Sequence, residues 1–219
     1  MARVLNLIVH GVGEPARPVP ASEAQLWISP TALDSLLDAV RSRDDVRISV
    51  DDGNASDLEY VLPALRARGL EATFFVVAGT LDGPGYLTRD GLKELAAVMP
   101  IGLHGMRHRP WRRLTDVELE EEHREARAMI EDAAGRRVDE AACPFGAYDR
   151  RTLRSLRRSG FRRVYTSDGG FAADEAWLQP RTSVRAGDDG RAVRRIHDGA
   201  ASARSALVRR AKITAKRWR

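Results

Sequence analysis

Two histidines four residues apart, in Leu103-His104-Gly105-Met106-Arg107-His108, follow by about fifty residues a hydrophobic run that ends in paired aspartates, Ser49-Val50-Asp51-Asp52-Gly53. Asp52, His104 and His108 make a set of two imidazoles and one carboxylate, which can hold a divalent ion while leaving positions open for water and substrate. Zinc suits such a set, and cobalt, nickel, manganese or iron would also fit it. Asp51 differs chemically from its neighbour. With Asp52 committed to the ion, Asp51 is free to take a proton from an attacking water. Taken singly, Asp-Asp-Gly is an ordinary turn and His-x-x-x-His an ordinary surface or core pair; their joint order carries the meaning.

The surrounding elements must deliver both clusters to one place. Strand and helix signals alternate along the chain. An apolar run at 4–9 leads into a Gly/Pro-rich loop at 11–22, and a helix opens at Ser29-Pro30 with Leu33, Leu36, Leu37 and Val40 on one face. A strand at 46–50 precedes the aspartates, and the helix after it runs to Arg68, with Gly69 as its stop and Pro63 as a kink. The strand at 72–78 is continuously apolar, as one buried on both faces should be. A helix at 89–98 and a strand at 101–103 bring the chain to His104. Thr115-Asp116-Val117-Glu118 is a capping box for a long charged helix that ends near Gly135. A strand at 140–143, a helix capped by Asp149 that stops at Gly160, and a strand at 162–166 complete the series. Repeated strand-helix units predict an α/β fold with a parallel sheet, closed or nearly closed, whose strand ends assemble the site. We expect one domain over residues 1–187 and a basic helix or tail over 188–219.

Composition narrows the functional classes. A chain of 219 residues with 43% hydrophobic content can bury one substantial core, and a single cysteine, Cys143, excludes an internal disulfide or thiolate cluster. After Asp198 there is no acidic residue, while Arg204, Arg209, Arg210, Lys212, Lys216, Arg217 and Arg219 supply seven positive charges. Setting those seven aside turns the net +5 of the chain into −2 for residues 1–198, so the basic excess is a tail and not a nucleic-acid-binding face. That tail is either solvated or in peripheral contact with an anionic membrane, through Leu207, Val208, Ile213 and Trp218. The first apolar run ends in His-Gly with no cleavage site, which reads as a strand and leads us to expect a cytoplasmic protein or one at the cytoplasmic membrane face.

Over roughly residues 45–170 the chain resembles the polysaccharide deacetylase family, also called carbohydrate esterase family 4. The family's Thr-Phe-Asp-Asp-Gly motif stands here as Ser49-Val50-Asp51-Asp52-Gly53, and its His-(Ser/Thr)-x-x-His motif as His104-Gly105-Met106-Arg107-His108. The resemblance implies a distorted (β/α) barrel of seven strands and a metal-dependent hydrolase acting on an N-acetylated glycan or glycan precursor. Asp51 would be the general base, and Asp52, His104 and His108 would hold the metal. The third motif, Arg-x-Pro-x-Gly, appears as Ala142-Cys143-Pro144-Phe145-Gly146, so its arginine is missing and some other group must orient Asp51. This turn is similar to that of the poly-N-acetylglucosamine deacetylase branch, which implies that the Phe145 main-chain N–H helps bind the oxyanion.

The family's last motif, Leu-x-His, supplies the general acid and has no clear counterpart after residue 170. Ile196-His197-Asp198 is the nearest downstream match, but in a closed ring the first strand neighbours the last. A circularly permuted motif at Ile8-Val9-His10 therefore makes His10 the preferred acid. Asp168 either positions catalytic groups or belongs to a Gly-rich turn, and Tyr148 joins it as a candidate for substrate binding. Trp111 reads equally as a sugar-stacking wall or core packing, His123 as a solvated helix residue and Cys143 as a buried one. Two other readings compete: a deformylase or deacetylase of a lipid- or nucleotide-linked amino sugar in envelope synthesis, and a carbohydrate-binding domain that keeps the metal without the chemistry.

Overall fold

The computed structural model describes residues 2–202, 207, 211 and 213–216. Its strands are β1 (Arg3–Val9), β2 (Gly11–Val12), β3 (Trp27–Ile28), β4 (Val46–Asp52), β5 (Ala72–Val76), β6 (Ile101–Leu103), β7 (Glu140–Ala142), β8 (Arg163–Thr166), β9 (Ala172–Ala173) and β10 (Leu178–Ser183). Seven of them close a wholly parallel barrel in the order β1, β4, β5, β6, β7, β8, β10 and back to β1. The expected (β/α) barrel is therefore the observed fold. β2 and β3 form a separate parallel pair, and β9 runs antiparallel beside β1.

Local chemistry sets the shell of helices. Ser29 caps Pro30–Arg41 by accepting the Ala32 N–H, and Leu33, Leu36, Leu37 and Val40 form its buried stripe. Leu62–Arg68 and Ala126–Ala134 end at Gly69 and Gly135, whose φ of 64° and 66° suits glycine. Thr115 and Glu118 cap each other reciprocally at the start of Asp116–Glu120. Pro63 falls in the first turn of Leu62–Arg68, where its missing N–H is least costly. A π-helical turn at Asp57–Val61 comes just before it, and a widened turn accommodates a ring that would otherwise press on the carbonyl four residues back.

Sequence periodicity marks six barrel strands. The seventh, β10, reads Leu-Gln-Pro-Arg-Thr-Ser, and its buried residues Gln179 and Arg181 are 2% and 1% exposed. Polar groups on its buried face, and a proline without an N–H at its centre, hide it from any apolar pattern. Gln179 is held by the Asn6 side-chain amide on the neighbouring β1, at 3.0 Å. The helix Gly190–Ala201 packs on Pro30–Arg41. Beyond it, Arg204, Arg209, Arg210, Lys212, Arg217 and Arg219 lie outside the described residues, and with them most of the tail expected to touch a membrane. Among the described residues no helix is long and apolar enough to cross one.

Candidate metal centre and catalytic cavity

The parallel register builds the centre. Asp52 on β4 aligns with Val76 on β5, and Val76 with Leu103 on β6, so His104 emerges one residue above the level of Asp52. The His104 N–H donates to the Val76 carbonyl at 2.8 Å, fixing that exit. Asp52 Oδ1 then lies 3.5 Å from His104 Nε2 and 3.2 Å from His108 Nε2. One ligand atom from each residue falls within 4.8 Å of the others.

The protonation states favour a cation there. His104 Nδ1 is 2.8 Å from the Ala142 carbonyl, which only accepts, so Nδ1 carries the proton and Nε2 presents its lone pair. Burial holds His104 neutral, its pKa pushed down to about 3, and lowers that of His108. Asp52 is raised to about 6, first by burial and also by the charge of Asp51, with His10 opposing. Its Oδ1 is buried without a hydrogen-bond donor. The His104 lone pair and an orphaned carboxylate oxygen facing one another are unfavourable alone and, with His108 Nε2 beside them, suit a divalent ion between them. Asp52 and His108 also adopt left-handed φ of 81° and 47°, conformations that cost energy for residues bearing a Cβ and that cluster at functional sites.

The group that orients Asp51 is Arg181. Its Nη1 and Nη2 donate to Asp51 Oδ1 and Oδ2 at 2.7 and 2.8 Å, and Nη1 also reaches Ser49 Oγ at 2.8 Å. The fork is wholly buried and rests over the rings of Phe75 and Tyr165, 5.0 and 5.6 Å from their centroids. Ala142, where the family motif carries its arginine, packs in that same small cluster with Phe75 and Tyr165. An arginine from β10 thus lies against the same two rings as the small residue on β7. Burial opposes ionisation of Asp51, but the Arg181 charge and its paired hydrogen bonds prevail and hold the carboxyl below its usual range. Nothing in the local sequence around Arg181 signalled this role.

A cavity of about 580 Å³ opens over these groups, and His10, Asp51, Asp52, His104, His108 and Phe145 all line it. His10 follows β1, whose Ile8 pairs with Ser183 of β10, so the first and last barrel strands are neighbours at the site. Its Nδ1 is buried without a partner among the described residues. His197 sits at the opposite end, hydrogen-bonded at 2.9 Å to Asp45, which precedes β4. Phe145 is 64% exposed at a φ of 57°, with its ring 4.6 Å from that of His108. One wall is the segment bearing Glu23 and Leu26, which includes the short helix Ala21–Ala24 and is braced by Arg17, which pairs with Glu23 and bonds Asn54.

Other sequence candidates are placed elsewhere. Trp111 is fully buried, its indole N–H given to Glu122, so it packs the core and offers no sugar-stacking wall. Tyr148 is equally buried, and its hydroxyl donates to Asp168, which also accepts from Thr166 and Lys216. Neither Tyr148 nor Asp168 lines the cavity. His123 is not solvated as its charged neighbours suggested. It lies fully buried, edge-on to Trp111 with Nδ1 against Ser155 Oγ, because its helix turns that face inward. Cys143 is buried as expected, with its thiol pKa pushed up by burial.

Comparisons with known proteins agree with this geometry. The family model described as polysaccharide deacetylase matches residues 39–164, more than half of the chain. YxkH of Bacillus subtilis (strain 168), whose own assignment as a polysaccharide deacetylase is provisional, is 24% identical over 141 residues, covering 64% of this chain and 50% of that protein. The chain thus spans about half the length of this curated relative. Among solved structures, the Streptococcus pyogenes deacetylase PplD in complex with acetate superposes with a TM-score of 0.76 at 17% identity, covering 89% of this chain and 97% of that one. IcaB from Ammonifex degensii gives a TM-score of 0.67 at 21% identity, covering 83% and 91%. These two likenesses are likenesses of fold. Together with the match over residues 39–164, which contains both aspartates and both histidines of the centre, they close the question of ancestry: the chain belongs to the polysaccharide deacetylase family.

Proposed function

We propose that the chain is a metal-dependent N-deacetylase, hydrolysing the acetamide of an amino sugar in a polysaccharide or glycan precursor. The observation that carries this reading is the pairing of an ionised, arginine-oriented Asp51 with the Asp52, His104 and His108 cluster in one cavity. A domain that only bound sugar would have no use for a carboxylate held in this way.

Asp52, His104 and His108 would hold the ion, with zinc as its first candidate, and the bound ion would supply a Lewis acid to the reacting centre. Asp51 accepts a proton on its carboxylate as water adds to the acetyl carbon. Arg181 keeps that carboxylate charged and fixed in plane. The Phe145 N–H would donate to the oxygen that becomes negative, and His10 gives a proton to the sugar nitrogen as the C–N bond breaks, leaving acetate and a free amine. The exposed Phe145 ring beside His108 gives the entrance an apolar edge suited to a sugar face.

Acetate release from a panel of N-acetylhexosamine oligomers tests the proposal, comparing chelator-stripped protein with the same protein restored with zinc or cobalt. Metal-dependent release is expected. No release from any member despite one bound ion per chain would overturn the deacetylase assignment for these substrates.

A further inference from the structure

The loop joining the two histidines of the centre, residues 105–107, belongs to no strand, yet four of its backbone groups are hydrogen-bonded. Its carbonyls accept from the turn after β5: the Ala78 N–H reaches the Gly105 oxygen at 2.8 Å, and the Gly79 N–H reaches that of Met106 at 3.0 Å. The Met106 and Arg107 N–H groups converge on a single carboxylate. Glu122 Oε2 accepts from Met106 at 2.8 Å and from Arg107 at 3.5 Å, and takes the Trp111 indole N–H at 3.2 Å. Glu122 Oε1 accepts from Arg109 Nε at 2.8 Å. The carboxylate is completely buried, so these donors take the place of its hydration. Gly105, at a φ of 87°, brings the loop backbone against it; a Cβ there would run into Oε2.

Glu122 and His123 occupy consecutive buried positions, between Leu119 and Ala126, on a helical stripe whose other members are apolar. They sit in a π-helical turn, Glu121–Glu125, that interrupts the helix at this point. A buried, fully bonded charge on an otherwise apolar stripe costs desolvation, and here its hydrogen bonds go to the segment between the two histidine ligands.

We infer that Glu122 is a positioning residue for the metal centre: its carboxylate pre-forms the loop between His104 and His108, so that both imidazoles face Asp52 before any ion arrives. The inference rests on the reading of Asp52, His104 and His108 as metal ligands. Carboxylates behind a ligand set typically change metal affinity about 10- to 100-fold when removed, and an effect of that size is expected here, transmitted through the backbone.

The test is calorimetric titration of zinc into metal-free wild type, Glu122→Gln and Glu121→Gln, together with the visible spectrum of each cobalt-loaded protein. Glu121 pairs at the surface with Arg107 and Arg109 and serves as the control. Zinc affinity about 10- to 100-fold weaker in Glu122→Gln with an altered cobalt spectrum, and unchanged in Glu121→Gln, is the expected result. Equal affinities and spectra in all three proteins would overturn the role of Glu122, whereas wild type that binds no zinc would remove the metal centre on which the role depends. Should Glu122→Gln fail to fold, amide hydrogen exchange of metal-free wild type decides. Slow exchange at Met106 and Arg107 supports a pre-formed loop, and free exchange at both contradicts it.

Discussion

β4 and β10 meet inside the barrel through one ion pair, yet they are written in opposite ways. β4 carries Val46, Ile48 and Val50 toward its aspartates, and apolar burial fixes its register before the carboxylates are reached. β10 buries Gln179 and Arg181 instead and has Pro180 between them. Its placement depends on satisfied polar groups: Gln179 bonds Asn6 and the carbonyls of Ala173, Asp174 and Ala176, and Arg181 bonds Ser49 and Asp51. One strand is positioned by what it removes from water and the other by what it pairs with. The second kind is expensive to disturb, because each lost partner strands a buried group.

Breaking the pair from the β4 side gives the largest expected effect. Asp51→Asn should lower acetate release by about 10²- to 10⁴-fold, with zinc stoichiometry retained by titration. From the β10 side, Arg181→Ala leaves a buried carboxylate unpaired and should cost about 3–5 kcal/mol of stability in denaturant unfolding. Arg181→Lys keeps the charge but loses the fork, and a loss of about 1.5–3 kcal/mol is expected by the same measurement. Gln179→Leu sharpens the contrast: a side chain that suits an apolar strand should destabilise by about 1–3 kcal/mol, because Asn6 and three carbonyls each lose a hydrogen bond.

The buried helix face at Glu122 and His123 follows the logic of β10 and offers a pH test. Burial pushes the His123 pKa down to about 3, from the ordinary imidazole value of 6.5. The unfolded chain therefore binds this proton first, so His123 lowers stability as pH falls below 6.5, by at most about 1.4 kcal/mol per pH unit. Unfolding free energies measured between pH 7 and pH 5 should fall less steeply in His123→Phe than in wild type.

This contrast also explains what the sequence disclosed. Where burial is apolar, as in 46–50 and 72–78, the strands were legible, and with them the aspartates and histidines at their ends. Caps at Ser29, Thr115 and Asp149 and stops at Gly69 and Gly135 were legible because each acts within a few residues. Arg181 and β10 were not, since their partners lie up to 173 positions away, as between Asn6 and Gln179. Trp111 and His123 misled for a related reason: local composition does not say which way a helix face or loop is turned.

Arg181 orients Asp51 from β10, whereas the family motif would carry its arginine at position 142. Acetate release by folded Arg181→Ala and by the double variant Arg181→Ala/Ala142→Arg tests it most directly. We expect a loss of about 100-fold or more in the first and recovery of at least about tenfold in the second, because both positions adjoin the cluster of Phe75 and Tyr165. Wild-type activity in Arg181→Ala would contradict it.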